Sequence, residues 1–166
     1  MQTQRFAKRT TATIIAPETL RWAKTRLGYD YWRMLCGSRR YPSRDEIKPR
    51  DIAAALTNMA LVKVIDGGAD FQFRIVGDHA GRGYSADLNN RLFSSLESEL
   101  PRAVANWNRV YRGVMQSGIP MAVDIVTGID APDINFTEAE AVFLPLGPNG
   151  DEIDHVLTFI QHALKS

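Results

Sequence analysis

The chain has 166 residues and a mass of 18.6 kDa, with 45% hydrophobic and 23% charged residues; these values exclude a disordered, collagen-like or low-complexity polymer and suit one domain with its own core. The net charge of +1 conceals a split: residues 1–50 hold 12 Lys/Arg against 4 Asp/Glu, and residues 51–166 hold 8 against 15. The single Cys36 excludes an internal disulfide, and the longest uncharged runs, Ile52–Val62 and Gly113–Val123, are 11 residues each, short of the roughly 20 that a membrane helix needs.

Residues 1–17 carry Arg5, Lys8 and Arg9 and no acid. They lack the apolar stretch of a secretory signal, which points to a cytoplasmic protein; their Thr-rich composition is shared with organelle transit peptides, but a flexible tail is the better reading. Residues 18–58 form a helical extension. Leu20, Ala23, Leu27, Tyr31 and Leu35 recur at helical spacing, Trp32 and Cys36 widen the stripe, and Gly37 stops it. A basic loop, Ser38–Arg50, leads to a short helix over Asp51–Asn58 opened by Pro49.

Residues 59–164 read as the main domain. Ala60–Asp66 and Phe71–Asp78 are two strands joined at Gly67-Gly68, the second alternating Phe71, Phe73, Ile75 against Gln72 and Arg74. His79–Leu96 suits short helices and turns. Leu100, Val104, Trp107 and Tyr111 mark a long amphipathic helix ended by Gly118. Three strands follow: Met121–Thr127, Glu138–Leu146 with Glu138 and Glu140 facing outward, and the almost wholly apolar His155–Ile160, entered through the turn Pro148-Asn149-Gly150-Asp151. A strand without clean alternation is buried on both faces and therefore central, so the last strand should pair with the first and the fourth. The order of elements argues for an α+β domain with a five-stranded antiparallel sheet.

The chemistry on offer is sparse. Gly81-Arg82-Gly83-Tyr84-Ser85-Ala86 matches a dinucleotide fingerprint, but Asp87-Leu88-Asn89-Asn90 follows instead of a long helix, so it reads as a loop whose glycines permit positive φ. His79, His155 and His162 are scattered, and no metal set is apparent. Cys36 sits on the apolar stripe and reads as packing rather than a nucleophile. Glu138 and Glu140 share a strand face, where two solvated acids are commoner than a catalytic pair. The basic first third, interleaved with Trp22, Tyr29, Tyr31, Trp32 and Tyr41, has the composition of a single-strand nucleic-acid binder, although two of those rings fall on the apolar stripe.

The block Tyr31-Trp32-x-x-Leu35-x-Gly37-x-Arg39-x-x-Pro42-x-Arg44-x-x-Ile47-x-Pro49-x-Asp51-Ile52 resembles the opening of a PAS-like family found mostly in alphaproteobacteria, often as a PAS domain standing alone. The resemblance continues through Phe71-x-Phe73-Arg74-x-Val76-Gly77, Asp87-Leu88, Leu92-Phe93 and Phe143-Leu144-Pro145-Leu146, covering about residues 30–160. Asn90 stands where that family usually has Gly, and Asn is the next-best residue for a left-handed turn.

The resemblance implies a five-stranded sheet with helices over one face, a small-molecule cavity, and a non-enzymatic role in signal transduction. In the wider fold, flavin adducts need a Cys after the second strand and haem needs a His on the long helix; this chain has neither, so no cofactor is expected. Candidate ligand-binding residues are Phe73, Ile75, Tyr84, Trp107, Tyr111, Val123, Phe143 and Phe159. The expected partners are a small ligand, a signalling protein and a second copy docked through the apolar N-terminal helix. The alternatives are a small enzyme using His79 as base with Asp78 or Asp124 orienting it, and nucleic-acid binding by the first third.

Overall fold

The computed structural model describes residues 9–166 of the chain; the first eight residues of the expected tail lie outside the described residues. Six strands form a single antiparallel sheet: β1 (Thr11–Ile15), β2 (Met59–Ile65), β3 (Asp70–Val76), β4 (Met121–Val126), β5 (Phe136–Leu146) and β6 (His155–Leu164). Their spatial order is β1-β4-β5-β6-β2-β3. β6 is central, paired to β5 on one side and β2 on the other, as its uninterrupted apolar run requires.

The sheet has six strands rather than five because part of the expected tail is a strand. Thr11–Ile15 pairs along β4 from Thr11 against Val126 to Ile15 against Ala122. Its β-branched residues favour extended backbone, but four of the five are exposed, so no alternation marks the strand in the sequence. Thr10 fixes the entry by giving its backbone N–H and its hydroxyl to Asp130.

Helices cover both faces. On one lie α2 (Asp78–Arg82), α3 (Phe93–Leu96) and α4 (Pro101–Ser117), with Gly118 closing α4 in the left-handed conformation at φ 67°. Asn90 adopts φ 62°, the left-handed turn that its side chain tolerates. On the other face lie α1 (Ala23–Cys36) and the segment Pro49–Asn58, which winds as 3-10 turns broken at Ile52 instead of the expected helix. Among the described residues no helix is long and apolar enough to cross a membrane.

α1 is rotated from the expected stripe. Its buried residues are Thr25, Gly28, Tyr29, Tyr31, Trp32 and Cys36, whereas Ala23 is exposed and Leu27 and Leu35 are only partly covered. The buried face lies on the chain's own sheet: Trp32 Nε1 donates to the Pro145 carbonyl at 2.9 Å, and Gly28 lies against the Phe159 ring. Of the expected stripe, Leu20 and Tyr31 are thus covered within the chain, and Ala23, Leu27 and Leu35 keep exposed surface.

Glu140 explains how α1 is held. It was expected to face outward with Glu138, but only Glu138 is exposed; Glu140 is 1% exposed. α1 has no capping side chain of its own, and the Glu140 carboxylate accepts the N–H of Arg21 at 2.9 Å, the N–H of Trp22 at 3.0 Å and the Thr25 hydroxyl. A carboxylate at a helix start satisfies otherwise unpaired N–H groups and the positive end of the helix dipole. Arg21 lies within 3.8 Å of Asp124 and 4.0 Å of Glu140, so part of the basic first third rests on the acidic body of the same chain.

Candidate functional site

Between the sheet and the helices α2 and α4 lies an apolar cavity of about 50 Å³. Phe73, Tyr84, Trp107, Tyr111, Val123 and Phe143, read from the sequence as candidates, all line it. So do Ala12 from β1, Phe136 and Ala141 from β5, Thr158 from β6, and Asn106 from α4. The rings meet at steep angles: Trp107 contacts Phe73 at 5.1 Å and 81° and Tyr84 at 4.8 Å and 71°, and Tyr111 contacts Phe143 at 5.1 Å and 82°. Such edge-to-face contacts are favourable without flat stacking.

Ile75 and Phe159 do not reach this cavity. β3 carries a bulge: Ile75 pairs with Leu61 and Phe73 with Val62, which leaves Arg74 as an extra residue. One inserted residue reverses the alternation, so Val76 lines the cavity while Ile75 lies on the opposite face among Arg44, Ile47, Pro49 and Leu157. Phe159 has the wrong parity on β6: Thr158 and Ile160 face the cavity, and Phe159 faces α1. An all-apolar strand gives no sign in the sequence of which face each residue takes. Ala12 carries no signal in the sequence because β1 lacks alternation, and Thr158 carries none because it is a polar residue within an apolar run.

The cavity has two polar marks. The Tyr111 hydroxyl lies 2.7 Å from Thr158 Oγ1, and Trp107 Nε1 donates to the Tyr84 hydroxyl at 3.4 Å. Burial pushes the Tyr84 phenol up to about 12 and the Tyr111 phenol also well above its ordinary value, so both remain neutral across the physiological range. Among the described residues no Cys, His or carboxylate lines the cavity, so its residues fit neither haem ligation nor a flavin adduct.

Of the alternative chemistries, the pairing of His79 with Asp124 does not assemble. His79 is exposed on α2, and its Nδ1 lies 3.1 Å from Thr57 Oγ1, whereas Asp124 is engaged by Arg21 beside the start of α1. The base and the Asp124 orienter are thus not brought together. Tyr29, Tyr31, Trp32 and Tyr41 are buried, so these rings are not available for stacking on bases. Cys36 is buried at the end of α1, and burial raises its thiol to about 11, which suits packing rather than nucleophilic work. The glycine-rich segment is not a positive-φ loop: Gly81 lies in α2, and Gly83 has φ −66°. A Cβ on Gly83 would come within 3.0 Å of Phe136 and 3.3 Å of His162, so close packing explains that glycine.

A protein-family model described as PAS domain matches residues 21–161, a span that takes in α1 as well as the sheet from β2 onward. No curated protein and no solved structure matches the chain significantly.

Proposed function

The chain belongs to the PAS domain family, and we propose that it works as a sensory module in which a small apolar molecule, on entering the cavity under α4, changes how the domain associates with a second copy of itself. The observation that supports this reading is the cavity: an apolar space ringed by tilted aromatic side chains with two neutral phenols on its wall. At about 50 Å³ it suits an occupant of a few heavy atoms and lies far below the roughly 300–1,000 Å³ of sites for drug-sized ligands. Signalling then rests on a population shift: the occupant binds one packing of α4 and β1 better than another.

The association surface in this reading is the free edge of β1. Its uncharged Thr-Ala-Thr-Ile-Ile has no strand on its outer side among the described residues, and Ile14 is 70% exposed. The other sheet edge, β3, is covered, because Phe73 N–H donates to the Arg91 carbonyl and Gln72 bridges to Leu92. An open edge is a template for another strand, and antiparallel pairing of β1 with β1 of a second copy is self-complementary about a two-fold axis. Ala12 couples the two features, since it lies on β1 and lines the cavity.

The test is sedimentation with and without dissolved xenon, an apolar probe small enough for the cavity, together with methyl NMR of the Ala12, Ala80 and Ala141 signals. The expected result is xenon-dependent shifts at those methyls and a change in the monomer–dimer balance, with Ile14→Lys monomeric throughout. A parent protein that stays monomeric at high micromolar concentration in both conditions overturns the reading.

A further inference from the structure

A second hollow, of about 310 Å³, opens between the start of α1, the helix α2 and the end of β6. It is lined by Lys24, Asn58, His79, Arg82, Gln161 and His162 near the exposed Leu164; its four ionisable groups are all nitrogen bases and it has no carboxylate. Like most Lys and Arg of the chain, Lys24 and Arg82 enter no ion pair among the described residues, but here the two share one hollow with two histidines. Gathering like charges from two helices in one hollow costs Coulomb energy unless an anion shares it.

The donors there are incompletely used. Lys24 Nζ gives one proton to the Ala54 carbonyl and keeps two. The Arg82 side chain donates to no protein acceptor among the described residues, and a guanidinium carries five N–H groups. The Lys24 backbone N–H is accepted by Gln161 Oε1 at 3.0 Å, which leaves the amide NH₂ of Gln161 free to donate. His162 is held in place by a contact of 2.7 Å from its Nε2 to the His79 carbonyl and by stacking on Phe136 at 5.5 Å and 6°.

We propose that this hollow binds a phosphoryl group, with Arg82 and Lys24 as its charged contacts and the Gln161 amide and His79 ring completing the set. Donors converging from α1, α2 and β6 suit a tetrahedral dianion with several oxygens, whereas a planar carboxylate is satisfied by a single arginine. The site is separate from the apolar cavity and does not depend on the sensory reading, although Phe136, on which His162 stacks, also lines that cavity.

The experiment is an NMR titration of the whole chain with inorganic phosphate and, separately, glycerol phosphate, at ionic strength held constant with sodium chloride, following the ring signals of His79 and His162. Saturable one-to-one shifts are expected, at least about tenfold weaker in Lys24→Gln/Arg82→Gln and unchanged in Lys63→Gln, an exposed lysine on β2. Arg82 is exposed and Lys24 partly exposed, and the amide spectrum of the double variant away from the hollow checks that it is folded. Saturation by both compounds supports a site for the phosphoryl group itself, and saturation by glycerol phosphate alone supports an organic phosphate. The absence of saturation by either, or a double variant that titrates like the parent, overturns the proposal.

Discussion

The two faces of the sheet are made by the same strands and packed in opposite ways. β6 sends Leu157 and Phe159 toward α1, and Val156, Thr158 and Ile160 toward α4. On the α1 face the fit is closed: a Cβ placed on Gly28 would lie 2.2 Å from the Phe159 ring. On the α4 face the rings of Phe73, Trp107, Tyr111 and Phe143 tilt around the cavity. A glycine lets a helix settle onto a flat ring, while large rings meeting edge-on leave space between them. The first face is built to hold one arrangement, and the second keeps room for an occupant.

The largest way to break that difference is to remove Glu140. Glu140→Ala leaves two backbone N–H groups without their acceptor, and the Thr25 hydroxyl with the Trp22 carbonyl alone, at a position only 1% exposed. Losing one side of a buried charged hydrogen-bond set costs about 3–5 kcal/mol. Glu140→Gln keeps an acceptor oxygen but turns an NH₂ toward donors, and costs about 1–3 kcal/mol. Urea denaturation checks both values. A loss below about 1 kcal/mol for the alanine variant means that packing alone seats α1.

A sharper comparison uses neighbours on one strand. Ala122 and Val123 on β4 are both buried, Ala122 toward α1 and Val123 toward the cavity. Ala122→Val forces added methyl groups into the closed face and should lower stability by about 1–3 kcal/mol. Val123→Ile adds one carbon beside free space and should change stability by less than about 1 kcal/mol in either direction, while abolishing the xenon response. Equal penalties for the two variants dissolve the distinction between the faces.

The parts of the fold that hydrophobic pattern can express were legible in the sequence. The central place of β6 followed from its unbroken apolar run, and the long helix from its spacing and from Gly118. Pattern failed where long-range pairing or polar contacts decide. Thr11–Ile15 becomes a strand only because β4 lies beside it, and the extra residue Arg74 reverses the facing of Ile75. The buried face of α1 begins with Thr25 and Gly28, which a search for apolar residues passes over: one is buried because Glu140 accepts its hydroxyl, the other because only hydrogen fits beside Phe159. Glu140 itself reads as a solvated acid until its partner helix is placed above it.

The smallest effect concerns how the closed face is finished at the far end of α1. Arg39 donates to the carbonyls of Leu35 and Cys36, the last turn of the helix, and to both carboxylate oxygens of Glu46. Glu46 also accepts the Ser43 N–H at 2.7 Å, so it joins the basic loop to the helix end. The Arg39 hydrogen bond, followed by the Ser43 N–H, lowers the Glu46 carboxyl from 4.5 to about 2. A carboxylate held below its unfolded value contributes stability that is fully present above about pH 4.5 and is lost as the pH falls through about 2. Arg39 is half exposed, so solvent screening keeps the contribution to about 0.5–1 kcal/mol. Glu46→Gln should lose that amount at pH 7 and differ less from the parent as the pH falls toward 2, because the parent is then neutral at this position too. Urea midpoints of both proteins across that range provide the measurement. A gap that stays constant from pH 7 to 2 shows that Glu46 acts through shape and not charge, and that the helix end is closed by packing like the rest of its face.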